Sequence, residues 1–148
     1  MSTMIKQGVA VWVDRWRDLK AFRGLVTDYE VIVRMRHVAD YSTGRCSTHK
    51  KRIIVTACDD MVDSLATILH EYAHAARVRR ADIDYSAHDG EWQRTYAAAV
   101  FEVTERRIPD GVPEYALMDR AAYDVMKRWW AESGNEFAWK LLATKGRR

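Results

Sequence analysis

The segment Asp60 to Arg80, DMVDSLATILHEYAHAARVRR, carries the strongest signals in the chain. Val62, Leu65, Ile68, Leu69, Tyr72, Ala73 and Ala76 recur at helical spacing. Asp59 or Asp60 suits the N-cap, and Asp63 adds negative charge to the first turn. Arg77, Arg79 and Arg80 suit the dipole at the other end. Inside this helix stands His70-Glu71-Tyr72-Ala73-His74, an H-E-x-x-H pattern. Residues four apart share one helix face, so His70 and His74 can aim ring nitrogens at one ion. Glu71 lies beside them, within reach of a water on that ion. Zinc peptidases use this spacing, with the imidazoles as ligands and the glutamate as general base. The plainer alternative is an amphipathic helix with two solvated histidines. Against it, Thr67, His70, Glu71 and His74 fall on the flank of the apolar stripe, which predicts a place at the edge of the core under a cleft.

Upstream of this helix the period changes to two. Tyr29 to Val38, Thr43 to Thr48 and Ile53 to Thr56 read as strands, with Gly44 a bulge or point of close approach. The turns Ala39–Ser42 and His49–Lys51 are short, so an antiparallel meander is expected. His37 and His49 read as ordinary strand and turn residues. Further back, Ile5, Val9, Trp12, Val13, Trp16 and Leu19 predict a helix over residues 4–22, with a strand over 9–13 as the alternative. Its aromatic stripe reads as core.

Downstream, a link over 81–87 leads to His88-Asp89-Gly90-Glu91-Trp92. Asp89 suits the N-cap of a helix with Trp92, Tyr96, Ala99, Val100 and Val103 on one side, ending by Ile108 ahead of Pro109 and Pro113. Leu117, Ala121, Val125 and Trp129 form the stripe of a helix over 114–132, broken at Ser133-Gly134-Asn135. A short helical piece over 136–142 and a basic tail, Lys145 to Arg148, follow. The fold class is α+β, in a single domain over 1–148 with no internal repeat or linker.

Composition excludes several classes. Net charge is +3, from 24 basic and 21 acidic residues, too small an excess to argue for nucleic-acid or membrane binding. The apolar run near the start is too short for a membrane span and lacks the layout of a secretory signal, so a cytoplasmic protein is expected. The two cysteines, Cys46 and Cys58, form no C-x-x-C pair, which leaves His and carboxylates for any metal site. A catalytic zinc takes three protein ligands and keeps a fourth position open. Glu91, Glu102 and Glu105 are candidates for the third ligand, and His88 is the best placed of the group. The longer H-E-x-x-H-x-x-G-x-x-H pattern fails, since Arg77 and Arg80 occupy its later positions.

These motifs together resemble the SprT-like (Spartan-like) zinc metallopeptidases. In that family the H-E-x-x-H helix is followed by a His, usually with Gly beside it and an aromatic shortly after, matched here by His88, Gly90 and Trp92. A Gly-x-Cys strand precedes the helix, matched by Gly44-Arg45-Cys46-Ser47. A strand like Ile53 to Thr56 and Leu-rich residues like Leu65 to Leu69 then enter the motif. The resemblance covers residues 40–105, with 114–148 a helical extension. It implies a minimal zincin-like domain: N-terminal helix, three-stranded antiparallel sheet, active-site helix and two to three further helices. It implies Zn(2+) on His70, His74 and His88, Glu71 as catalytic base, and protein or peptide substrates, including DNA-associated ones. Two departures stand out. The C-terminal zinc ribbon of many relatives has no cysteines to build it, and Asp89 loosens the His-Gly spacing by one residue.

The expected reaction is peptide hydrolysis by metal-activated water, with Glu71 carrying the proton. Tyr85, Arg45 or Tyr123 could serve as a second electrophile. Thr43 to Thr48 is the expected edge for pairing with a substrate strand. One alternative is a regulatory protease of the ImmA/IrrE type, which cleaves a repressor and takes a carboxylate as its later ligand. Another is a non-catalytic zinc and DNA-binding module, which needs a fourth protein ligand. Arg77, Arg79, Arg80, Arg94, Arg106, Arg107, Lys127, Arg128 and the tail could make a basic stripe with Trp129-Trp130 for weak DNA association. A solvated face with acids interspersed is the favoured reading.

Overall fold

A computed structural model describes residues 2–36, 41–81, 88–109 and 115–134. Helix α1 (Ser2–Trp16) and a 3-10 turn (Lys20–Phe22) precede strands β1 (Glu30–Met35), β2 (Thr43–Ser47) and β3 (Arg52–Ala57). Helices α2 (Met61–Ala81), α3 (Gly90–Thr104) and α4 (Tyr115–Trp129) follow, the last running into a π turn (Trp130–Gly134). The α+β class expected from the sequence is what forms. Residues 1, 37–40, 82–87, 110–114 and 135–148 are outside the described set. With them go the expectations for His37, Tyr85, the 81–87 link beyond Ala81, most of the Pro109–Pro113 turn, the 136–142 helix and the basic tail.

The antiparallel meander does not form. The sheet order is β1-β3-β2, with β1 parallel to β3 and β2 antiparallel to it. Burial gives the reason. On β3, Ile53, Val55 and Ala57 are wholly buried, so the central strand is the most deeply buried of the three. A meander would have put Thr43-Gly44-Arg45-Cys46-Ser47 there, with too little apolar side chain to cover. As an edge strand β2 needs only one partner. Residues 36–42 separate β1 from β2, enough chain to pass over one strand at a spacing of about 4.8 Å per step.

Helices α1 and α2 pack on the inner face of the sheet, and α3 and α4 pack against α2. Helix α2 is therefore enclosed on several sides, with Leu65, Ile68, Leu69, Tyr72, Ala73, Ala75 and Ala76 all wholly buried. Asp60 is its N-cap, accepting from the backbone N–H groups of Val62 and Asp63 at 3.0 and 3.2 Å. The buried Tyr72 hydroxyl donates to the Val13 carbonyl at 2.7 Å and ties α2 to α1. The tryptophans of α1 are core, as their spacing predicts: Trp12 and Trp16 are almost fully buried and meet Trp129.

The first helix stops at Trp16, short of the expected residue 22. Leu19 leaves the helical region, and the Glu102 carboxylate of α3 accepts from the backbone N–H groups of Lys20 and Ala21 at 2.8 and 2.9 Å. That tertiary cap starts a separate turn, which buries Phe22 edge-on against Tyr72. On α4 the buried stripe is Met118, Ala122, Val125 and Met126, whereas the expected Leu117 is 46% exposed. Both stripes read as apolar. Contact with α2 and α3 selects between them.

Candidate metal centre and cleft

The second half of α2 presents His70 and His74 on one face, and His88 enters from the residue before the α3 cap. The three rings converge through their Nε2 atoms. His70 and His74 are separated by 3.1 Å there, His74 and His88 by 2.9 Å, and His88 and His70 by 3.2 Å. Among the described residues this is the one group of His, Cys, Asp and Glu side chains compact enough to hold a metal ion, and it has no fourth member. Tetrahedral ligands at about 2.0–2.1 Å from an ion sit about 3.3–3.4 Å apart. The observed triangle is a few tenths of an ångström tighter, so these donors fit a small divalent cation and leave one vertex facing away from the protein ligands. Burial holds the His74 ring down at about 3, with His70, His88 and Arg77 adding to the effect. His88 is lowered too, first by burial and then by His70. Both rings are thus neutral at pH 7, the form that offers a lone pair to a metal.

Three contacts build this arrangement. Trp92 of α3 is wholly buried and forms the floor, with its ring centroid 4.8, 5.3 and 4.6 Å from those of His70, His74 and His88. Its indole N–H donates to the His70 carbonyl at 3.2 Å. Asp89 caps α3 by accepting from the Trp92 backbone N–H at 3.0 Å, as the sequence predicts, and also takes a forked ion pair from Arg77 of α2. The residue that lengthens the His-Gly spacing thus clamps His88 against α2. Arg77, a favourable charge at a helix end by sequence, is the other half of that clamp. Finally, Asp119 of α4 accepts from His70 Nδ1 at 2.8 Å.

Glu71 is 5% exposed, and among the described residues its carboxylate makes no hydrogen bond or ion pair. Burial pushes it up to about 7, partly opposed by His70 and reinforced by Asp119. It lies against β2 at the position expected for close approach: a Cβ on Gly44 would stand 2.6 Å from both Cγ and Oε2 of Glu71. Only glycine leaves room for the carboxylate. Glu71 and His70 line a cleft of about 520 Å³ with Tyr41, Thr43, Gly44, Tyr96 and Asp119.

The other candidates stand elsewhere. Glu102 caps the 3-10 turn, Glu91 pairs with Arg94 at 3.1 Å, and Glu105 ends α3 in the left-handed region. None belongs to the histidine group. The Tyr123 hydroxyl donates to Asp60 at 2.6 Å, at the far end of α2, and Arg45 lines a separate groove with Lys50 and Arg52. Within the basic stripe, Arg77, Arg94 and Arg106 pair with Asp89, Glu91 and Glu132, while Lys127 and Arg107 lie over the Tyr123 and Phe101 rings. The side chains of Arg79 and Arg80 lie outside the described residues. Asp119 is the site residue that the sequence does not disclose, since an acid flanking an apolar stripe looks like any solvated residue. No helix among the described residues is long and apolar enough to cross a membrane. Compared with family models, curated proteins and solved structures, the chain matches none.

Proposed function

We propose that this chain is a zinc-dependent endopeptidase with a zincin-like site of the SprT-like kind. The observation that carries the reading is the convergence of His70, His74 and His88 through Nε2 within 3.2 Å, beside a buried carboxylate that has no internal partner among the described residues. An amphipathic helix with incidental histidines gives no reason for three imidazole Nε2 atoms from two segments to converge within 3.2 Å of one another. A zinc ion held there supplies a Lewis acid that polarises a carbonyl and acidifies water.

The protein's own residues do the rest. Glu71, buried beside the histidines at the cleft, would take a proton from attacking water and return it to the departing amine. Gly44 keeps its carboxylate on the cleft side of β2. Among the described residues strand β2 pairs only with β3, and its first residues line the same cleft, so its other edge suits an extended peptide held by main-chain hydrogen bonds. Recognition of that kind reads backbone rather than sequence, in keeping with an endopeptidase.

The experiment is Glu71→Gln with zinc content and cleavage of an unstructured protein measured together, with and without DNA. Retained zinc with cleavage reduced at least about a hundredfold supports the assignment. Unchanged cleavage removes Glu71 as base. Stimulation by DNA would place DNA-bound proteins among the substrates.

A further inference from the structure

Helix α4 lies outside the stretch that resembles a peptidase, yet it reaches the histidine centre through Asp119. We propose that Asp119 is a positioning residue for the metal site, holding His70 in the tautomer and orientation that direct Nε2 at the shared vertex. The proposal rests on the metal-site reading above and adds a residue from a different part of the chain.

A neutral imidazole has one N–H and one lone pair, and the partner of one nitrogen decides the state of the other. At His70 the Asp119 carboxylate is 2.8 Å from Nδ1, so Nδ1 carries the hydrogen and Nε2 the lone pair. That lone pair faces the Nε2 atoms of His74 and His88 at 3.1 and 3.2 Å. Were the hydrogen on Nε2 instead, it would fill the space where a cation must sit. A carboxylate acceptor also makes the ring a stronger donor to a metal than a carbonyl would, because its negative charge compensates the positive charge placed on the imidazole.

The helix that carries Asp119 is well anchored. Met118, Ala122 and Met126 are buried beside it, and the Tyr123 hydroxyl, one turn on, bonds Asp60 at 2.6 Å. Asp119 is thus held by packing that owes nothing to the histidines. The other side of His70 is fixed by Trp92, whose indole N–H donates to the His70 carbonyl and whose ring lies 4.8 Å from the imidazole. Between these supports the ring has one favourable setting.

The test compares the parent chain with Asp119→Ala, Asp119→Asn and Tyr123→Phe. Zinc affinity is measured by competition with a chelator, and the ring nitrogens of His70 are followed by 15N NMR in metal-free protein. Asp119→Ala is expected to weaken zinc about 10- to 100-fold and to move His70 from the Nδ1–H form to a mixture. Asp119→Asn keeps an acceptor oxygen without the charge, so the tautomer is retained with a smaller loss of affinity. Tyr123→Phe removes the neighbouring bond between α4 and α2, controlling for stability, and leaves both readouts unchanged. An unaltered His70 tautomer in Asp119→Ala overturns the proposal whatever the metal data show. Equal zinc loss in Tyr123→Phe and Asp119→Ala overturns it too, reducing Asp119 to general support. A parent chain that binds no zinc overturns the metal-site reading and the affinity half of this proposal, while the NMR measurement still decides the orientation half.

Discussion

Replacing Glu71 with Gln in metal-free protein should stabilise the fold, and the gain should depend on pH in a defined direction. Burial raises this carboxyl from 4.5 to about 7. Above pH 7 the native state holds a desolvated charge that the unfolded chain solvates freely, so the parent protein carries the full penalty. As pH falls from 7 towards 4.5, the native state takes up a proton that the unfolded state does not, and the penalty shrinks. Below 4.5 both states are protonated and nothing remains of it. At about 1.4 kcal/mol per pH unit, linkage gives a penalty of about 3 kcal/mol at pH 8 and about 1 kcal/mol at pH 5. Glutamine is neutral throughout, so the stability difference between variant and parent should widen by about 2 kcal/mol over that range. Urea unfolding of chelator-treated protein at both pH values measures it, as a midpoint shift on the order of 1–2 M. Effects of the amide itself are common to both conditions and cancel. Zinc should close most of the gap, because a nearby cation stabilises the carboxylate. A difference that is the same at pH 5 and pH 8 would refute the claim that Glu71 is held as a buried, raised carboxyl.

Other substitutions probe the neighbouring contacts. Gly44→Ala puts a methyl 2.6 Å from the Glu71 side chain; it should cost about 1–3 kcal/mol and lower cleavage with zinc retained, read by unfolding and metal content. Zinc occupancy should fall sharply in His88→Ala and not in Glu102→Ala, whose effect should be a stability loss of about 0.5–2 kcal/mol from the uncapped turn at Lys20 and Ala21. A reversal of that pattern would identify Glu102 as the ligand. Tyr72→Phe removes the buried hydroxyl's bond to the Val13 carbonyl and should cost about 0.5–1.5 kcal/mol in thermal or urea unfolding, with cleavage unchanged in the surviving folded protein.

Much of the site is legible in the amino-acid sequence. The i, i+4 spacing alone puts His70 and His74 on one helix face, Asp89 and Trp92 carry the signs of a cap and a buried stripe, and Gly44 marks a close approach. Other features have no sequence signal. The Arg77–Asp89 clamp joins residues each already explained locally, one as a helix-end charge and the other as a cap. Asp119 lies 49 residues from His70, on a surface where acids are unremarkable. The sheet order departs from expectation because short connections suggest a meander, whereas Thr43–Ser47 has too little apolar side chain to fill the buried centre.

The sequence by itself determined the local matters: which segments are helices and strands, where α2 and α3 are capped, and that two histidines and a glutamate share one turn. These depend on periodicity and on hydrogen bonds within a few residues, which any window of the chain contains. Tertiary structure decided the rest, namely β3 at the middle of the sheet, the end of α1 at a carboxylate from α3, the face of α4 that is buried, and the meeting of His88 and Asp119 with α2. Each is a choice among nearly equivalent local options, settled by burying apolar area and pairing polar groups between segments far apart in the chain.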